Sequence, residues 1–107
     1  MAEPGFVLSP AASADLDAIE SYIATQSGAA RARNVLERIF RSLIMLAHWP
    51  NVGRLHPEIE GTPRSFPVAP WIAFYEPSTE LDGIYVLRIL DGRRDLDTLL
   101  PKKRKSR

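Results

Sequence analysis

A chain of 107 residues with 45% hydrophobic side chains has room for one small domain and no more. The absence of cysteine excludes disulfide staples and thiolate metal sites, and no apolar run nears the roughly 18 residues that a membrane-spanning helix needs. The formal charge of +1 hides a division: five of the 14 basic residues stand between Lys102 and Arg107, so residues 1–101 hold nine arginines against 13 acids, a balance of −4.

With no signal-like N-terminus, a soluble cytoplasmic protein is expected. Its single domain should span residues 1–100. The end at 101–107, with every lysine of the chain, reads as a disordered basic tail or a weak contact for nucleic acid.

In chain order, Gly5 to Leu8 is a short apolar segment suited to a strand. Ser9 offers an N-cap and Pro10 a first helical residue. Ala12, Leu16, Ile19 and Ile23 then recur at helical spacing, with Asp15, Asp17 and Glu20 placing negative charge early in the helix, which should stop near Gln26 to Gly28. A second helix follows from about Ala29 to His48. Its stripe is Ala32, Val35, Leu36, Ile39, Leu43 and Leu46, and Arg31, Arg33, Arg38 and Arg41 fall on its other faces. Pro50 ends it. Helices joined by two or three residues must lie antiparallel, as a hairpin whose apolar side needs a cover.

Asn51 to Pro63 has glycine, proline and charge without periodicity, and reads as a loop. Three runs follow: Ser65 to Ala69, Trp71 to Glu76 and Ile84 to Leu90. They are rich in β-branched and aromatic residues, and Pro70 and the Pro77 to Gly83 segment punctuate them as an antiparallel meander. Pro67 lacks a donor and points to an edge strand, so the N-terminal strand is expected beside the last one. The fold class is therefore α+β, ordered β-α-α-β-β-β, with a helical hairpin on one face of a small, mainly antiparallel curved sheet.

The last run is apolar on both sides, as in a central strand covered twice. Alternation puts Tyr85, Leu87 and Ile89 on one face and Ile84, Val86, Arg88 and Leu90 on the other. In so dry a setting the Arg88 guanidinium needs a carboxylate, a phosphate or a partner chain. Asp91, Asp95 or an acidic helix residue are the internal choices. His48 and His56 fall at a helix end and in a loop, where neither spacing nor context suggests catalysis or a metal site. Glu76 and Glu80 read as solvated.

The ordered set Leu8-Ser9-Pro10-Ala11-Ala12, Asp15-Leu16, Ile19, Tyr22-Ile23, Gly53-Arg54, Arg64-Ser65-Phe66-Pro67-Val68, Phe74-Tyr75 and Leu87-Arg88-Ile89-Leu90-Asp91-Gly92-Arg93-Arg94-Asp95 resembles the ParE/RelE superfamily of type II toxin–antitoxin toxins. The ParE branch resembles it most. The resemblance runs from about Phe6 to Leu100. It implies a bacterial, cytoplasmic toxin without a cofactor, held inactive by a cognate, ParD-like antitoxin. The target it implies is DNA gyrase, whose cleaved DNA complex such toxins stabilise to block replication. RelE-like relatives on this fold instead cleave messenger RNA in the ribosome, and a degenerate member would bind its antitoxin without poisoning anything.

An RNA-cleaving member needs an activated 2′-hydroxyl, an acid for the leaving oxygen and cations at the phosphate. Arg64, Arg88, Arg93 and Arg94 are the available cations, and Tyr75 and Tyr85 the available acids. Arginine is a poor proton carrier near neutrality. Asp91 stands where related sequences commonly carry a histidine, and residues 1–101 contain no lysine. The expected mode is therefore binding without bond breaking, with Arg88, Arg93 and Arg94 contacting the target. Tyr22, Phe40, Trp49 and Trp71 are the candidate antitoxin contacts, and an isolated chain with them exposed would self-associate.

Overall fold

The computed structural model describes residues 3–80, 82–94 and 96–103, the side chains of Asp97 and Thr98 excepted. β1 (Gly5–Leu8) leads into α1 (Pro10–Ser27) and α2 (Ala29–His48); β2 (Arg54–Leu55), β3 (Arg64–Val68), β4 (Trp71–Ser78) and β5 (Gly83–Asp91) follow, then a single turn of helix, α3 (Leu96–Leu99). The α+β class and the hairpin-on-sheet arrangement expected from sequence are present. β2 and α3 are additions that the aperiodic loop and the short C-terminal stretch did not announce.

Local chemistry sets the helix ends. Ser9 Oγ accepts from the Ala12 N–H at 2.9 Å, and Pro10 occupies the first turn. One residue joins the helices, Gly28 at φ 90°, a conformation that suits glycine. In α2 the predicted stripe is the buried one: Ala32, Val35, Ile39, Leu43 and Leu46 are closed off, with Ala47 added and Leu36 partly buried. One expectation for α1 fails. The first turn carries no acid, so Asp15 lies too far along to serve the helix dipole and is used otherwise.

The five strands run in the order β1-β5-β4-β3-β2. β1 pairs with β5 in parallel, as expected for the N-terminal strand, and the remaining pairings are antiparallel. The strand carrying Pro67 is not the edge strand expected, because β2 pairs on its outer side, but β2 reaches only Arg64 and Ser65, so Pro67 stands past it and its missing donor costs no ladder bond. Gly83, at φ 148°, lies so close to Gly5 that an added Cβ would collide with the Gly5 carbonyl.

A β-bulge corrects the alternation expected along β5. Tyr75 pairs with Val86 but Phe74 pairs with Arg88, leaving Leu87 as the extra residue. One inserted residue turns the period-2 pattern over. Ile84, Val86 and Ile89 therefore all face the helical core, while Leu87 and Leu90 join Phe74 and Ile59 on the opposite side. That second cluster is covered by Leu96, Leu99 and Leu100, so β5 is indeed covered twice.

The start of the expected tail belongs to this cover. Glu60 N–H donates to Pro101 O at 2.9 Å, Lys103 N–H donates to Glu58 O at 3.0 Å, and Ile59 bridges Lys102. Residues 101–103 are thus hydrogen-bonded to the 58–60 segment. The rest of the basic end, 104–107, lies outside the described residues, as does Asp95.

Candidate functional site: a groove of arginines and aromatics beside helix α1

β1 ends at Leu8, which leaves the outer edge of β5 without a strand partner beyond Val86. Helix α1 takes over. Ser9 N–H donates to Val86 O at 2.9 Å and Ser9 Oγ donates to Leu87 O at 2.8 Å. Farther along, Asp15 Oδ2 accepts from the Ile89 N–H at 2.9 Å. The same carboxylate receives Arg88 in a fork, Nε to Oδ2 at 2.8 Å and Nη2 to Oδ1 at 2.9 Å. Paired in this way, Arg88 has its pKa raised, chiefly by the hydrogen bond to Asp15 and against the opposing effect of burial.

The turn after β5 closes a second fork. Asp91 Oδ1 accepts from the Arg93 backbone N–H and from Arg93 Nε, both at 2.9 Å, and Oδ2 accepts from Nη2 at 2.7 Å. These bonds to Arg93 pull the Asp91 carboxyl down to a pKa of about 2. The turn itself is tied to the β3–β4 connection by Gly92 N–H donating to Pro70 O at 2.8 Å.

Between these forks and α1 lies a groove of about 340 Å³ bordered by Tyr22, Trp71, Arg88, Asp91, Arg93 and Arg94. It brings together all three arginines expected to face the target with two of the four aromatics expected to face an antitoxin. Their states differ. Arg88 and Arg93 are each held by a carboxylate: Arg88, partly buried, by Asp15 of helix α1, one of the kinds of internal partner expected for it, and Arg93, largely exposed, by Asp91. Among the described residues Arg94 has no side-chain partner of its own, and the Arg93 side chain remains 77% exposed. Tyr22 is 68% exposed, whereas Trp71 is partly buried against the core with the Arg38 guanidinium 5.9 Å from its ring centroid.

The other two aromatics lie elsewhere. Phe40 packs on Phe6 with ring centroids 5.8 Å apart, inside the layer between helices and sheet. Trp49, 69% exposed, sits at the far end of α2 beside Pro50 and Val52. Residues suggested for RNA cleavage are likewise dispersed. Tyr75 is fully buried; its hydroxyl donates to Pro50 O at 2.8 Å and accepts from the Gly53 N–H at 2.9 Å, and burial pushes its pKa up. Arg64 Nη1 donates to the carbonyls of Asn51 and Gly53 at 3.1 and 2.8 Å, so it braces the same loop. Tyr85 is half-buried beside the β4–β5 turn. Among the described residues no three His, Cys, Asp or Glu side chains gather to hold a metal ion, and no helix is long and apolar enough to cross a membrane.

Two participants were not singled out in the sequence: Asp15, read as early negative charge on helix α1 though an acidic helix residue was one possible partner for Arg88, and Arg38, placed on a face of α2 away from its apolar stripe. A signal for the first was present. Asp15, Ile19 and Tyr22 stand at i, i+4 and i+7, one face of a helix, and all three border the groove. Arg38 had no such signal, since its ring contact depends on where β4 begins.

Residues 6–96 match the family model described as ParE toxin of type II toxin-antitoxin system, parDE. The chain is 34% identical over 91 residues to Toxin ParE3 of Caulobacter vibrioides, covering 85% of this chain and 89% of that protein. It also superposes on a chain from the structure titled "Chromosomal ParDE TA system from P. aeruginosa" with a TM-score of 0.67 at 25% identity, covering 83% of this chain and 96% of the other. The match spans every element that builds the groove, from β1 to the turn after β5, and the chain belongs to the ParE toxin family of type II toxin–antitoxin systems.

Proposed function

We propose that the groove beside α1 is the face with which this toxin grips its target, DNA gyrase, and that a ParD-like antitoxin neutralises it by covering that groove in the bacterial cytoplasm. The observation that carries this reading is the meeting of exposed Tyr22, Arg93 and Arg94 with half-buried Trp71 along one depression. Aromatic anchors next to arginine are the composition of energetically dominant interface positions. Arg94 adds a charge that, among the described residues, no carboxylate holds in a hydrogen-bonded fork, while Arg93 and Arg88 present the N–H groups that their carboxylates leave over.

The chemistry favours binding over cleavage. Among the described residues the groove's cations are guanidinium ions, its carboxylates Asp15 and Asp91 are paired, and the Tyr22 phenol has no neighbouring base beside it to complete acid–base chemistry. The phenol best placed by sequence for an acid role, Tyr75, is shut inside the 50–53 loop. The basic end adds a salt-dependent contact to nucleic acid. Removing 104–107 alone tests it, since Lys103 and its backbone bond to Glu58 stay in place.

The decisive experiment is tightly controlled expression in bacteria of the natural chain and of the Arg93→Ala, Arg94→Ala double variant. Filamentous cells with induced DNA damage and intact translation are expected for the former, and normal growth for the latter. Cut messages and rapid loss of protein synthesis would overturn the reading in favour of an interferase. Absence of any phenotype from the natural chain would identify a degenerate member.

A further inference from the structure

The loop that sequence leaves without structure carries a hydrogen-bonded chain of three side chains on the sheet face away from the helices. His56 Nε2 lies 2.7 Å from Ser65 Oγ, and His56 Nδ1 lies 3.0 Å from Glu58 Oε2. Glu58 is an acceptor only, its pKa lowered mainly by the bond to His56, so Nδ1 donates to it, and in the neutral ring Nε2 then accepts from the serine hydroxyl. The His56 ring is steadied by Phe74, with centroids 5.6 Å apart. None of these residues borders the arginine groove.

We propose that Ser65, His56 and Glu58 form a nucleophilic site that accepts the acyl group of a small ester, with Ser65 as the attacking residue. Hydroxyl to imidazole to carboxylate is the order in which a serine is activated, and it is recognised by geometry and not by position in the chain. Ser65 borders a groove of about 390 Å³ walled by Val52, Phe66, Pro67 and Ile72, apolar enough for a short acyl chain, while His56 and Glu58 border a separate cavity of about 120 Å³, so the Ser65–His56 hydrogen bond links the two. Arg54 pairs directly across the ladder from Ser65 and borders the same groove, and its charge also helps to lower the Glu58 pKa.

The step balances with water as the only co-reactant. Ser65 Oγ bonds to the ester carbonyl carbon as its proton passes to His56 Nε2. The ester C–O bond then breaks, and that proton leaves with the alcohol. Water, deprotonated by the same nitrogen, attacks the acyl-serine and releases the acid, which restores the Ser65 hydroxyl. Glu58 holds the ring throughout. Because its side chain is 54% exposed, its replacement should slow the step only about tenfold or less, well short of the effect of removing the imidazole.

The test uses the full chain with an alkyl fluorophosphonate, in which a Ser65–phosphorus bond forms and fluoride departs. One adduct is expected, mapping to Ser65, with Ser65→Ala unlabelled and His56→Gln labelled about a hundredfold more slowly. Release of nitrophenolate from p-nitrophenyl acetate should likewise exceed that of Ser65→Ala. An unlabelled natural chain, an adduct that survives in Ser65→Ala, or equal ester hydrolysis by the natural chain and Ser65→Ala would overturn the proposal. Ser65→Ala removes only one hydroxyl from a strand, and circular dichroism confirms that the comparison is between folded proteins.

Discussion

Arg88 and Asp15, 73 residues apart in sequence, form a two-pronged ion pair that fastens helix α1 to the edge of strand β5 at the rim of the arginine groove. The pair is mostly enclosed, with 29% of the arginine and 15% of the aspartate side chain exposed. The carboxylate also caps the Ile89 N–H, so a single acid serves a cation and an orphaned strand donor together.

Removal of that acid should therefore be costly. Asp15→Ala leaves both an enclosed guanidinium and a strand N–H unpaired, a loss of about 2–4 kcal/mol. For a domain of this size the melting temperature should fall by roughly 10 °C or more. Arg88→Lys should fail to preserve stability, because an ammonium cannot reproduce the fork. Thermal unfolding of the single and double variants gives the coupling energy, expected to be about 1–3 kcal/mol. Strictly additive losses would show that the two side chains do not act as a pair.

Acid titration addresses the second fork. Asp91 has a folded pKa of about 2 against an ordinary 3.8, with Arg93 as the main cause. A depressed carboxyl contributes stability that is fully present above the unfolded value and disappears as pH falls through the folded one. The turn from Asp91 to Arg94 should thus keep its geometry until the pH nears 2. Carboxyl carbon shifts followed by NMR should give a midpoint near that value, moved upward toward 3.8 in Arg93→Ala and less in Arg94→Ala. An unmoved midpoint in Arg93→Ala would remove the fork as its cause.

Tyr75→Phe separates scaffolding from chemistry. The substitution strands the Pro50 carbonyl and the Gly53 N–H, at a cost of about 1–3 kcal/mol, while leaving the arginine groove untouched. Growth arrest should persist wherever the variant stays folded. Loss of toxicity at unchanged melting temperature would reinstate the phenol as a reacting group. Burial also predicts that Tyr75 stays protonated beyond its ordinary value of 10.0, which ultraviolet titration can follow.

Two aromatics that look alike in sequence should respond in opposite ways. Phe40→Ala empties a place in the stack on Phe6 and should cost about 2–4 kcal/mol of stability. Tyr22→Ala removes an exposed ring and should leave the melting temperature within a degree or two while weakening antitoxin binding by about 1–2 kcal/mol. Calorimetric titration with the antitoxin decides the second value. An unchanged affinity would place the antitoxin away from the arginine groove.

Local information determined the helical hairpin and the run of strands. A 3.6-residue stripe on α2, a serine and proline at the start of α1, and Gly28 between the helices each act within a few residues, where hydrogen bonding and burial leave a readable period. The two-sided greasiness of β5 carried its double cover for the same reason, whereas the edge position that Pro67 suggested for β3 was taken by β2. What the sequence could not supply was the choice among partners. Arg88 demanded a carboxylate, a phosphate or a partner chain, and Asp15 was selected only when the end of β1 brought α1 to the bare edge of β5. The bulge at Leu87, the pairing of Lys102 with Ile59, and the gathering of Tyr22 and Trp71 with the arginines depend likewise on strand register and chain reversal. These are products of packing between distant segments, and no local period records them.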